Sequence, residues 1–192
     1  MLQLSSRDLL THTCLGDGIL SGDWSIYLLT MIKVVLEVGE IETARILAQA
    51  RYKFNRQGGV KNRKRSPESP ASIEVNGMGA ELAFCKAFNL WPDLTVGVRS
   101  GGGDALNQDG KSVDVKATPH VNGMLLVTPD KVEHGIDLYA LVTGFMPYYN
   151  VIGYATRYEI FKKENMVDLG HGKSYGLPQE KLHEYDDDEL QR

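Results

Sequence analysis

The segment Gly110-Lys-Ser-Val-Asp-Val-Lys-Ala-Thr118 alternates apolar and polar residues. A period of two fits a strand, with Val113, Val115 and Ala117 on one face and Asp114, Lys116 and Thr118 on the other. Side chains two apart on a strand point the same way, so Asp114 and Lys116 share a face. Upstream, Asp104-Ala-Leu-Asn-Gln-Asp-Gly110 leads into this strand through a hairpin turn. Two turns compete. A two-residue Asp109-Gly110 loop would set Ala105 opposite Asp114, whereas a three-residue Gln108-Asp109-Gly110 loop pairs Asp104 with Asp114. Gly110 suits the left-handed last position of the longer loop, which is therefore the expected register. It would bring the two carboxylates to about 5 Å at Cβ, close enough to share one divalent ion.

A third acid comes from a different element. Gly79-Ala-Glu-Leu-Ala-Phe-Cys-Lys-Ala-Phe88 has the helical spacing of Ala80, Ala83, Phe84 and Ala87. Glu81 has Phe84, Cys85 and Phe88 as its helix neighbours, and a carboxylate beside an apolar stripe is costly to bury unless paired or bound to metal. Taken alone, Glu81 also reads as a first-turn acid that the helix dipole favours by about 0.3–1 kcal/mol. Asp104 alone reads as a loop acid, and Asp114 with Lys116 as an exposed ion pair. The four together carry the argument.

Glu81 in Gly-Met-Gly-Ala-Glu-Leu-Ala, Asp104 in Gly-Gly-Gly-Asp, and Asp114 with Lys116 in Val-Asp-Val-Lys-Ala-Thr resemble the PD-(D/E)XK nuclease superfamily in order and context. Its pattern is an acid on an early helix, an acid on a strand and an acid-x-Lys on the next strand. Gly103 stands where the family name would put a proline. The resemblance covers about residues 77–160, since 137–143 and 149–156 read as two further strands. It implies an α/β fold with a restriction-endonuclease-like core: a central mixed sheet of four to five strands flanked by helices, preceded by a strand-helix extension. The domains expected are 1–72 (extension with basic loop), 73–180 (core) and 181–192 (acidic tail).

The resemblance further implies a metal-dependent endonuclease that hydrolyses DNA phosphodiesters. Mg²⁺, with Mn²⁺ able to replace it, would be held by Asp104, Asp114 and the Val115 carbonyl, with Glu81 binding directly or through water. Lys116 would orient or deprotonate the attacking water and offset charge building on the phosphorane. Its choice between those roles stays open, as does the use of one ion or two. Residues 31–65 and the closing Tyr175-Gly-Leu-Pro178 also resemble small phage or prophage nuclease-like proteins, which implies action in the cytoplasm of a host cell.

Composition excludes several other classes. At 192 residues the chain fits one domain with a core of its own. Ile26 to Val38 is apolar, but Lys33 and Glu37 interrupt it and it is too short to span a bilayer. Asp8 and His12 fall where a secretory leader needs an unbroken apolar run. Cys14 and Cys85 make no disulfide framework, and the five histidines have no zinc spacing. Gly101-Gly-Gly103 lacks the Lys-Ser/Thr ending of a phosphate loop.

The net charge of −4 is unevenly spread. Arg51, Lys53, Arg56, Lys61, Arg63, Lys64 and Arg65 occur with no acid among them, while 184–189 is nearly all acidic. Arg56, Lys61, Arg63, Lys64 and Arg65 are the candidate phosphate contacts of a nuclease, and would make binding salt-sensitive. The acidic tail could dock on them. A homodimer would supply the two sites that cutting both strands at one place requires.

The remaining segments complete the outline. Residues 30–38 read as a strand for their β-branched content. Residues 40–56 read as a helix with Ile41, Ala44, Leu47, Ala48 and Tyr52 as its stripe and Arg45, Gln49 and Arg56 partly off it. Residues 58–72, with Pro67 and Pro70, read as a loop. His120 lies just beyond the Lys116 strand, and Tyr148 and Tyr149 are candidates to stack a base. Two other readings stand beside the nuclease: a catalytically inactive nuclease-fold protein that binds DNA or a partner protein, and an unrelated α/β protein.

Overall fold

Five strands form one mixed sheet in the order β1-β6-β5-β3-β2, with β1 at Ile32–Val35, β2 at Ala105–Leu106, β3 at Ser112–Thr118, β5 at Leu138–Phe145 and β6 at Tyr148–Thr156. The structure, a computed structural model, describes residues 31–59, 69–97, 103–170 and 172–185. β3 and β5 run parallel and every other pair in this sheet is antiparallel. Parallel neighbours need a long crossover. Here residues 119–137 supply it, carrying the short strand β4 (Leu125–Val127) and a 3-10 turn at Pro129–His134.

β5 is the central strand, and its apolar residues serve both faces of the sheet. Ala140 and Val142 join one core with Val113, Val115, Tyr149 and Val151, while Tyr139 and Leu141 join the other with Ile152 and Ala155. Two helices, α1 (Val38–Gln57) and α2 (Pro70–Ala87), cover the first face. α2 lies against β1, β3, β5 and β6, and α1 packs on α2. The second face is covered mainly by a three-stranded antiparallel sheet, β4-β8-β7, with β7 at Met166–Asp168 and β8 at Lys173–Leu177, together with the single-turn helix α3 (Arg157–Ile160). The expected mixed sheet of four to five strands is therefore present. The small second sheet, not a further helix layer, is the part that local pattern did not announce.

Helix boundaries differ from expectation for identifiable reasons. The strand expected over 30–38 is confined to Ile32–Val35, because Glu37 caps α1 with a capping box: its side chain takes the Glu40 N–H, and Glu40 Oε2 takes the Glu37 N–H at 2.6 Å. The stripe residues Ala44 and Ala48 are buried as the 3.6-residue period requires. α2 begins at Pro70, well before Gly79. Ser69 Oγ accepts the Ser72 N–H at 3.1 Å and Pro70 occupies a first-turn position, where its missing N–H is no loss.

Gly77 and Gly79 both sit inside α2. A Cβ on Gly79 would lie 2.3 Å from the Tyr149 hydroxyl and 2.8 Å from Met146 Cε, so the helix approaches the sheet this closely only with glycine there. Asn76, one turn back, accepts from Tyr149 Oη at 2.9 Å and from the Met146 N–H at 3.2 Å, tying the helix to the β5–β6 hairpin. The boundary expected at residue 72 falls in the first turn of α2, and β1 and α1 contribute Val34, Ala44 and Ala48 to the same core as β3 and β5. At the other end, His183 forms a bridge to Tyr154 and Tyr185 packs on Phe88 at 4.4 Å between ring centroids. The acidic tail from Asp186 onward lies outside the described residues.

Candidate functional site

The β2–β3 hairpin has the three-residue loop. Ala105 pairs with Val113 and Leu106 with Ser112, which leaves Gln108, Asp109 and Gly110 to turn the chain. The Asn107 N–H donates to the Lys111 carbonyl at 2.9 Å, and Gly110 has φ of 75°, the left-handed conformation that glycine adopts without strain.

Beyond the last pair, Asp104 takes over the ladder with its side chain. Its N–H donates to the Val113 carbonyl at 2.7 Å, and its Oδ2 accepts the Val115 N–H at 2.8 Å. Gly103 makes this approach possible, since a Cβ there would lie 2.6 Å from the Val113 oxygen. Asp104 and Asp114 are 3% and 4% exposed, so two carboxylates are buried beside Val115, one bonded to its N–H and one its chain neighbour.

They do not point the same way. Val113 and Val115 face the core beneath α2, so alternation turns Asp114 and Lys116 toward the opposite face, beside their parallel partners Tyr139 and Leu141. Burial, and then the charge of Asp114, push the Tyr139 hydroxyl up to about 12. The Lys116 ammonium lies against Asp114 Oδ2 as an ion pair, and that buried oxygen has no directed hydrogen bond. On Asp114 Oδ1 a second ammonium, Lys131, stands at 3.6 Å.

Glu81 is held from another direction. Its Oε2 accepts from Arg51 Nη1 at 2.8 Å, in a pair whose side chains are 9% (Arg51) and 13% (Glu81) exposed. Arg51 also donates to the Thr95 carbonyl at 3.2 Å, to the Asp93 carbonyl and to the Met78 sulfur, so one guanidinium ties α1, α2 and the chain after α2 together. The pair opens on a cleft of about 640 Å³ between the helices, lined also by Ala48, Phe54, Ile73 and Gly77. Burial, then the charges of Glu81 and Asp104, raise the Cys85 thiol to about 12, leaving a small inert core residue as its sequence context suggests.

Asp104, Asp114 and Lys116 thus gather around Val115, while Glu81 is paired with Arg51. Among the described residues, no three histidine, cysteine or carboxylate side chains converge as a metal cage would.

The other candidates are placed as follows. Arg56 is exposed at the end of α1, its guanidinium 5.4 Å from the centre of the Tyr52 ring. Lys61, Arg63, Lys64 and Arg65 lie outside the described residues. Arg45 pairs with Glu42 on the helix surface, and Gln49 is exposed. His120 is exposed, with its main-chain N–H on Thr118 Oγ1. Tyr149 is buried against α2, whereas Tyr148 is 65% exposed.

Sequence reasoning missed two residues. Arg51 had a local signal, because Ala44, Ala48 and Arg51 fall at i, i+4 and i+7 on one helix face, and a charge on that stripe demands a buried partner. Lys131 had none, since only the crossover brings it to β3. Among the described residues no helix is long and apolar enough to cross a membrane. No family model, curated protein or solved structure matches this chain.

Proposed function

We propose that the chain is a metal-dependent DNA endonuclease with a restriction-endonuclease-like core, its reacting centre built on Asp104, Asp114, the Val115 carbonyl and Lys116. The observation that carries this reading is the Asp104 carboxylate bonded to the Val115 N–H, in the stretch that also bears Asp114 and Lys116. Burying two carboxylates on neighbouring segments is unfavourable unless each is offset by a cation or a hydrogen bond. Lys116 occupies Asp114 Oδ2, so a hard cation would meet Asp114 through Oδ1, which Lys131 approaches only to 3.6 Å. Within a strand the N–H and C=O of one residue point to the same side, so the Val115 carbonyl faces the Asp104 edge.

The donors are all oxygens and suit Mg²⁺ or Mn²⁺, which would polarise the phosphodiester and lower the pKa of bound water. The chain's own contribution is to hold Asp104 by a main-chain bond, to fix Asp114 on a buried strand, and to keep Lys116 partly exposed where a phosphate can meet it. Glu81 is the outer acid of the set and keeps its place through Arg51. Arg56, Lys61, Arg63, Lys64 and Arg65 would follow the DNA backbone in the cytoplasm of the cell where the enzyme acts, and a homodimer would cut both strands.

A second reading has its own support. The ion pairs on Glu81 and Asp114 are complete without a metal, as expected of a catalytically inactive relative that binds DNA or a partner protein. Incubating plasmid, linear duplex and single-stranded DNA with Mg²⁺ or Mn²⁺ separates the two. Nicking or linearisation that disappears in Asp114→Asn and Lys116→Ala supports the nuclease, and DNA binding without cleavage supports the relative.

A further inference from the structure

Lys131 is the second ammonium on a buried carboxylate that already has one. Asp114 carries a single negative charge, yet Lys116 lies on its Oδ2 and Lys131 stands 3.6 Å from its Oδ1. On Asp114 itself the two ammoniums outnumber the carboxylate by one, while Asp104, the other buried acid at Val115, is held by the Val115 N–H. Both lysines reach the surface: their side chains are 26% and 27% exposed, against 6% for Asp114. A surplus ammonium beside a buried acid is the arrangement that receives an anion from solvent.

The position of Lys131 is built. It lies in the 3-10 turn at Pro129–His134, which Gly135 closes in the left-handed conformation with φ of 70°. Two side chains hold the turn by its carbonyls. Tyr139 Oη donates to the Lys131 oxygen at 3.4 Å, and Arg157 Nη2 donates to the Val132 oxygen at 3.2 Å. Tyr139 is fully buried, stacked edge-on against Phe161 at 5.4 Å, and is the register partner of Asp114 on β5. The strand pair that carries the acid therefore also carries the post that fixes the second lysine.

We propose that Lys131 is a phosphate-binding residue of this site, its ammonium taking a non-bridging oxygen of the DNA phosphodiester while Lys116 stays on Asp114. The inference rests on the nuclease reading but is tested apart from it. A short fluorescent duplex is titrated across a salt series with Ca²⁺ in place of Mg²⁺, for wild type, Lys131→Ala, Lys131→Gln and Lys131→Arg, and plasmid cleavage in Mg²⁺ is measured in parallel.

Loss of one phosphate contact should weaken low-salt binding roughly fivefold to tenfold and lower the slope of log K against log salt by about 0.9. Lys131→Arg should restore both. A lysine that only props up Asp114 would leave the slope unchanged. Wild-type binding and cleavage with an unaltered slope in Lys131→Ala overturns the proposal and leaves the nuclease standing. A wild type that neither binds nor cuts overturns both. Melting curves accompany each variant, and a binding loss confined to an unfolded Lys131→Ala, absent from a folded Lys131→Gln, also overturns it.

Discussion

The Asp104 carboxylate accepts the main-chain N–H of Val115 at 2.8 Å, so an acid side chain continues the hydrogen bonding of β3 where strand β2 stops. Architecture and proposed chemistry can therefore be separated at this one residue. Asp104→Asn keeps an acceptor for Val115, and its stability by urea denaturation should stay within about 1 kcal/mol of wild type. Asp104→Ala leaves that N–H without its acceptor and should lose about 1–3 kcal/mol. Both should lose cleavage alike, by about a hundredfold or more, since neither keeps the charge. Full activity in Asp104→Asn would remove Asp104 from the centre.

Arg51 and Glu81 form a buried pair whose two halves should behave unequally. Arg51→Ala strands the Glu81 carboxylate and removes bonds to Thr95 and Asp93, and should destabilise by about 3–5 kcal/mol. Glu81→Gln retains an acceptor for the guanidinium and should lose less than half as much. As an outer acid, Glu81 should affect cleavage less than Asp104 does, with a fall near tenfold in Glu81→Gln. Equal losses in the two assays would instead make Glu81 a direct ligand.

Gly79→Ala sets intrinsic propensity against packing. Alanine is the better helix former by about 1 kcal/mol, but the added methyl meets Tyr149 Oη at 2.3 Å. Overpacking of this kind costs about 1–3 kcal/mol, so the variant should be less stable than wild type. Adding Tyr149→Phe removes the clashing oxygen, and a double-mutant cycle should show favourable coupling between the two. A more stable Gly79→Ala single variant would contradict the close approach of α2 to the sheet.

Glu159 supplies a pH test. Burial works to raise its pKa, but the Thr156 N–H and hydroxyl, each 2.8 Å from Oε2, and His183 at 2.7 Å from Oε1 outweigh it and bring it below the ordinary 4.5. A carboxyl lowered in the folded state binds protons more readily in the unfolded chain. Its stabilisation is thus complete above the ordinary value and is lost as pH falls through the lowered one. The melting temperature of wild type should drop below about pH 4.5, and more steeply than that of Glu159→Gln. Identical acid limbs would show that the Thr156 and His183 contacts of Glu159 contribute nothing.

Residues within a few positions of one another were legible from the chain alone. The period of two in 110–118 and the conformational freedom of Gly110 were enough to choose the hairpin loop, because both are decided by neighbours in sequence. The stripe of α1 was legible for the same reason. The expected helix began only at Gly79, whose missing side chain is explained once Tyr149, far along the chain, is seen to fill the space a Cβ would need.

What the sequence by itself determined, then, is the β2–β3 register and the adjacency of Asp104 to the Asp114-x-Lys116 strand, while the mixed sheet was implied by the resemblance. The tertiary structure alone decided that Glu81 is paired with Arg51, that Asp114 looks away from α2, and that Lys131 stands beside it. The difference is physical. Period and turn geometry act over a few covalent bonds, whereas a buried charge finds its partner only after helices and crossovers have closed around it.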